Sequence, residues 1–125
     1  ILGCLQVRGC DIDEKAPDVV RENMGYNGIS EEVFRVRAGD VLKDPGLQKW
    51  LGRECDIVLA NIVADVIISL TGTVKEHLKK DGIFICSGII EGRQSEVENA
   101  LNESGFKIEE HISKDEWHCF AARCK

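Results

Sequence analysis

The sequence predicts one α/β domain over residues 1–125, with a mostly parallel sheet, helices on both faces and a C-terminal antiparallel hairpin. Two observations carry that expectation. Short apolar runs rich in β-branched and aromatic residues alternate with stretches of helical periodicity, which demands crossover connections between parallel strands. The last two apolar runs instead follow one another with no helix between them.

The elements follow in order. LQVRGC at Leu5–Cys10 reads as the first strand. Asp13 can cap a helix carrying Ala16, Val19, Val20 and Asn23, and Pro17 lies in its first turn, where a missing N–H is tolerated. Val33–Ala38 is the second strand. A short helix holding Trp50 as a packing residue precedes the third, Cys55–Ala60. Val63, Ile67, Leu70, Val74 and Leu78 recur at helical spacing and predict one face of a long helix. Lys79 and Lys80 suit its negative end, and Gly82 reads as its stop. Ile83–Ser87 is the fourth strand, and Glu91–Ser104 a helix carrying Val97, Ala100 and Leu101, with Gly105 as C-cap. Phe106–His111 and Trp117–Ala122 form the hairpin, turning near Ser113–Lys114–Asp115, with Trp117 and Phe120 in the core.

Composition narrows the function. Apolar residues at 43% and charged residues at 30% exclude a disordered tail and a membrane protein. Sixteen basic against 22 acidic residues leave a net charge of −6, which argues against direct nucleic-acid or anionic-membrane binding and is compatible with a basic partner. The six cysteines form no C-x-x-C pair, and most sit in apolar runs. They read as reduced thiols of a cytoplasmic protein. No run approaches 18 apolar residues. His77, His111 and His118 show no mutual spacing for a metal site or a triad and read as ordinary histidines.

In open parallel sheets, ligands bind beyond the carboxyl ends of the strands. The residues there are Asp11, Gly39–Asp40, Asn61 and Ser87–Gly88. Asp11 can accept hydrogen bonds from the vicinal hydroxyls of a ribose or be a solvated turn carboxylate. Asn61 stands between an apolar strand and an apolar helix start, so it either caps the backbone or faces a ligand. Glu91–Gly92–Arg93 opens a helix near the substrate side and reads as a solvated turn, with a substrate contact as the alternative.

VRGCDIDEKAPDVVRENMGYNGI, RAGDVL, CDIVLANIVADVI, LKKDGIFICSGII and SGFKIEEHISKDEWHCF, taken together and in order, resemble the methyltransferases of ribosomal protein L11 along essentially the whole chain. The most specific pieces are Asn61–Ile62–Val63–Ala64–Asp65, Ser87–Gly88–Ile89–Ile90 and Glu116–Trp117. The resemblance implies a Rossmann-like class I methyltransferase fold and S-adenosylmethionine as cofactor. It implies transfer of methyl groups to lysine and N-terminal amines of a large-subunit ribosomal protein. Carried over residue by residue, it makes Asp11 the ribose ligand, with Ile12 against the adenine and Asp40 near the adenine amino group. Asp40 can equally be a turn cap. Asn61 and Ile62 would belong to the catalytic loop, binding the methionyl side, with Asn61 orienting the amine. No metal is implied.

The family's glycine-rich loop has no counterpart here, since the matching region begins at Leu2–Gly3–Cys4. The resemblance therefore implies an N-terminally incomplete catalytic domain whose first, central strand is missing. In the family's strand order that leaves two unpaired inner edges. The family's N-terminal substrate-recruiting domain is missing as well. Two other readings compete: a nicotinamide-dependent oxidoreductase, in which Asp11 would still hold a ribose, and a non-catalytic remnant of the fold.

Overall fold

A computed structural model describes residues 3–125. The chain divides into two compact units, Ile1–Leu51 and Gly52–Lys125.

The first unit comprises β1 (Val7–Asp11), α1 (Ala16–Tyr26), β2 (Phe34–Ala38) and α2 (Pro45–Leu51). β1 and β2 pair in parallel from Val7↔Phe34 to Asp11↔Ala38, as a helical crossover requires. Met24 of α1, Val36 of β2 and Leu47 of α2 are buried here. The Arg37 guanidinium lies 4.3 Å over the Trp50 ring, and Arg8 donates to the Trp50 carbonyl, so both strands are tied to α2. Asp13 does not cap α1. Lys15 holds the N-cap position without a side-chain bond, and Asp13 Oδ1 accepts from the Lys15 N–H at 2.9 Å. The short Asp13 side chain closes a local turn one step ahead of the helix.

The second unit comprises β3 (Cys55–Asn61), α3 (Ala64–Leu70), a 3₁₀ turn (Val74–His77), β4 (Leu78–Ile90), α4 (Gln94–Glu103), β5 (Phe106–Lys114) and β6 (Trp117–Cys124). Its sheet order is β3-β4-β6-β5. β3 and β4 are parallel, and antiparallel pairing is confined to β4–β6 and β5–β6. The architecture is therefore α/β with parallel crossover pairs and a C-terminal antiparallel hairpin. That hairpin turns where expected, with Lys114 opposite Trp117. Among the described residues, β1 pairs only with β2 and β3 only with β4.

Ile67 of α3 and Val97 and Leu101 of α4 are fully buried against Phe84, Cys86 and Ile89 of β4, Phe106 of β5 and Phe120 of β6. Burying each large side chain is worth about 1.5–3 kcal/mol. Trp117, expected in the core, is 53% exposed. It neighbours the turn, where His118 rather than Trp117 takes the inward-facing position.

The expected long helix is broken. α3 ends at Leu70, and Lys79, Lys80 and Gly82 all lie in β4. Thr71–Gly72–Thr73 interrupts the periodicity with two β-branched residues and a glycine, all weak helix formers. Thr71 Oγ1 also donates back to the Ile68 carbonyl at 2.8 Å. Ile67, Val74 and Leu78 of the expected face are nonetheless buried, whereas Val63, ahead of the helix, is 64% exposed. Gly82 is a close-approach residue, since a Cβ there would meet the Cys55 carbonyl oxygen at 2.9 Å.

Candidate active site

In the first unit, Asp11 ends β1 and is exposed. Its Oδ1 accepts from the Asp13 N–H at 2.9 Å, and its carbonyl accepts from the Gly39 N–H at 2.8 Å. This fixes the carboxylate at the strand exit beside the β2–α2 connection. Ile12 follows with 71% of its surface exposed, an apolar side chain open to a ligand. Asp40 is half-buried. Its Oδ1 caps the Leu42 N–H at 2.9 Å, and its carbonyl accepts from Lys43 and Asp44. The Cys10 thiol reports on both carboxylates: burial raises its pKa first, and the charges of Asp11 and Asp40 raise it further. Asp11, Ile12 and Asp40 thus gather around the exits of β1 and β2.

In the second unit, Asn61 is the last residue of β3, paired with Ser87 of β4. The residue capping α3 is Val63, with extended φ −65° and ψ 152° and no side-chain cap bond. Asn61 therefore does not cap the helix. The Ile62 N–H donates to the Ser87 carbonyl at 3.2 Å, pinning the loop to β4. Gly88 has φ +81°, and a Cβ there would lie 2.8 Å from both Asn61 Oδ1 and the Ile62 carbonyl oxygen. Only glycine accepts both that backbone and that approach. The β4–β6 register shifts between Cys86 and Ile89, so a bulge at Ser87–Gly88 seats the Asn61 loop. Arg93 at the start of α4 reaches across to Asp65 of α3 and to Glu96, and these two carboxylates keep it charged.

The hairpin also brings together side chains that the sequence reading set apart as ordinary. His111 Nε2 lies 2.8 Å from His118 Nδ1, and His118 Nε2 bonds Glu91 Oε2. The His118 and Gln94 hydrogen bonds hold the Glu91 carboxyl below its ordinary pKa of 4.5. The signal was available. A turn at residues 113–115 places 111 and 118 on neighbouring rungs of one hairpin face, and the missing step was to count register across the turn. Among the described residues, no three His, Cys, Asp or Glu side chains are arranged to hold a metal ion, and no helix is long and apolar enough to cross a membrane.

The sequence profile of the ribosomal protein L11 methyltransferase family (PrmA) matches residues 1–125. The ribosomal protein L11 methyltransferase of Agathobacter rectalis is 39% identical over 117 residues, which cover 93% of this chain and 36% of that protein. Its counterpart from Dictyoglomus turgidum is 37% identical over 122 residues, 98% of this chain and 38% of that protein. The crystal structure of the ribosomal protein L11 methylase from Lactobacillus delbrueckii subsp. bulgaricus superposes with a TM-score of 0.83 at 28% identity, covering 96% of this chain and 58% of that one. The chain spans little more than a third of the length of these curated relatives. With a profile match along its whole length and the strand pairings that the resemblance implies, the chain belongs to the ribosomal protein L11 methyltransferase family.

Proposed function

We propose that residues 1–125 act as the catalytic region of a cytoplasmic enzyme that transfers methyl groups from S-adenosylmethionine to lysine and N-terminal amines of ribosomal protein L11. The observation that carries this reading is Asn61: an exposed amide at the exit of β3, excluded from capping and seated on Gly88. Family membership supports the reaction class.

The strand-end residues fit the cofactor by chemistry. Asp11 Oδ1 takes one local N–H, and a carboxylate has capacity for further donors such as ribose hydroxyls. Ile12 offers an exposed apolar surface beside it for a purine, and Asp40 lies near enough to act on the same thiol. When bound, S-adenosylmethionine supplies a methyl group on an electrophilic sulfonium. Asp11, Ile12 and Asp40 would hold its adenosine portion, and the Asn61–Ile62 loop its methionyl side.

Methyl transfer to nitrogen needs a neutral amine aligned with the methyl carbon, so proximity is the main catalytic device. Asn61 presents an amide oxygen that can accept an amine N–H and aim the lone pair. The exposed apolar neighbours Ile62 and Val63 remove water from the amine and so lower its pKa.

Asn61→Ser tests this. Asn61 holds no helix cap, so the substitution should move stability by no more than about 0.5 kcal/mol, as an exposed exchange does. Single-turnover methylation of ribosomal protein L11 should fall by about tenfold or more, because alignment is lost. A folded Asn61→Ser protein with the wild-type rate removes Asn61 from catalysis.

A further inference from the structure

We propose that the free edge of β2 docks an extended segment of a protein partner, one that carries acidic side chains at alternate positions. This goes beyond the reaction assigned above, and its test needs no methyl transfer.

A cavity of about 450 Å³ is lined by Phe34, Arg35, Val36 and Arg37, consecutive residues of one strand, together with Arg21 and Trp50. Side chains alternate between the two faces of a strand, so a cavity touched by all four lies along the strand's edge. It is not the edge held by β1, none of whose residues line the cavity. Among the described residues, nothing else pairs with β2. The backbone is open there as well. The Val33 carbonyl accepts from the Val7 N–H, and the Gly39 N–H donates to the Asp11 carbonyl. Odd-numbered residues therefore turn their backbone groups to β1. The Phe34 N–H is taken by the Ser30 carbonyl at 3.0 Å. That leaves the Phe34 carbonyl, both Val36 groups and the Ala38 N–H along the free edge. Such a row is a template for one more strand.

The side chains define which strand fits. Arg35 and Arg37 share one face of β2 and are both exposed. Arg35 donates through Nε to the Glu31 carbonyl at 3.3 Å, and Arg37 rests 4.3 Å over the Trp50 ring. Among the described residues, neither forms an ion pair. Arg21 is already neutralised by Glu31 at 3.2 Å and Asp18 at 3.3 Å. The two strand arginines therefore outweigh Glu32, the remaining acid of the lining. This local positive charge stands on a chain of net charge −6. Arginines that merely guarded an edge against aggregation would need no cavity beside them. An added strand brings every second side chain beside Arg35 and Arg37, where a carboxylate makes charge-assisted hydrogen bonds. Its intervening side chains fall on the opposite face, near Phe34. A second depression of about 200 Å³, lined by Val20, Met24 and Ile29, adjoins Phe34 there and suits apolar groups.

The test uses the full-length protein and a labelled, end-blocked heptapeptide of alternating glutamate and valine. The controls are a lysine–valine counterpart, a peptide with the same glutamates and valines grouped in two blocks, and a single-stranded oligouridylate. Fluorescence anisotropy should show the alternating acidic peptide binding about tenfold or more tightly than each control. Replacing both arginines, Arg35→Gln with Arg37→Gln, should weaken that binding by about tenfold or more. A second readout keeps the unmodified protein. In hydrogen exchange followed by NMR, saturating peptide should slow the Val36 and Ala38 amides and leave those of Arg35 and Arg37, which face β1, nearly unchanged. No binding at millimolar peptide overturns the proposal, as does unchanged exchange at Val36 and Ala38. Equal binding of the lysine or block peptide refutes the alternating acidic pattern, and tighter binding of the oligouridylate reassigns the edge to nucleic acid.

Discussion

Gly88→Ala probes the seat of the Asn61 loop, and its cost can be worked from the structure. The residue sits at φ +81°, so an alanine there is strained by about 1–2 kcal/mol. The new Cβ would also stand 2.8 Å from Asn61 Oδ1 and from the Ile62 carbonyl oxygen, and 3.2 Å from the Ile62 nitrogen. Two of these atoms are backbone, so the loop itself has to recede, by about 0.6 Å, to reach ordinary contact at 3.4 Å. Overpacking of this kind adds about 1–3 kcal/mol, for a total of about 2–5 kcal/mol. A displacement approaching 1 Å at an aligning residue is worth up to about 100-fold in rate. The control is Gly28→Ala, at φ +65° with nothing within 4 Å of the new Cβ, which carries the strain without the push. Urea unfolding and single-turnover methylation on both variants separate the two effects. Equal stability losses in the two variants, with unchanged turnover in Gly88→Ala, would refute the account of the loop.

Cysteine labelling should follow burial: Cys4 is exposed, whereas burial pushes the Cys86 thiol up to about 12. At pH 8 an alkylating reagent should therefore modify Cys4 within minutes and Cys86 only after unfolding, and early Cys86 labelling in mass spectrometry would contradict the packing of β4. The Asp56–Lys79 pair predicts a pH window. Lys79, through its hydrogen bond and charge, lowers the Asp56 pKa from 3.8, and Asp56 raises that of Lys79 from 10.5. The Asp56 contribution is present above its unfolded pKa and fades as pH falls through the folded one. The Lys79 contribution is complete below 10.5 and fades as pH rises through its raised value. Asp56→Asn should lower the urea midpoint at pH 7, and the difference from wild type should begin to shrink only as pH falls below about 3.8 or rises above about 10.5. A difference that is flat with pH would exclude the pair.

What was legible in the sequence was whatever depends on local pattern. CDIVLA and IFICS were legible as strands, although Ile57 and Leu59 of the first are exposed, and the direct succession of the last two strands marked the hairpin and its turn to within a residue. The break at Thr71–Gly72–Thr73 was less so, because Val74 and Leu78 continue the helical spacing in sequence and still reach the core by another route. Tertiary packing set the apolar positions, and weak helix propensity set where the helix stopped. Asp11, Asp40 and Asn61 stand out as candidates because strand ends are where such sheets bind ligands, whereas Ile12 and Ile62 enter through the family resemblance alone. The non-capping role of Asn61 depended on a single backbone conformation, that of Val63, which no composition rule encodes. The contact between His111 and His118 was not legible in their spacing. Their proximity follows from strand register, a long-range property invisible to spacing rules for helices and loops.

Under the proposed amine methylation, an amide suits position 61 better than a carboxylate would. A carboxylate in contact with the acceptor nitrogen would stabilise the ammonium form and raise its pKa, suppressing the species that attacks. An asparagine accepts the same N–H without that penalty, and its oxygen is held at β3 by the approach of Gly88. The parallel pairing of Asn61 with Ser87 keeps that oxygen at the β4 bulge, while β4 itself runs on past it to Ile90.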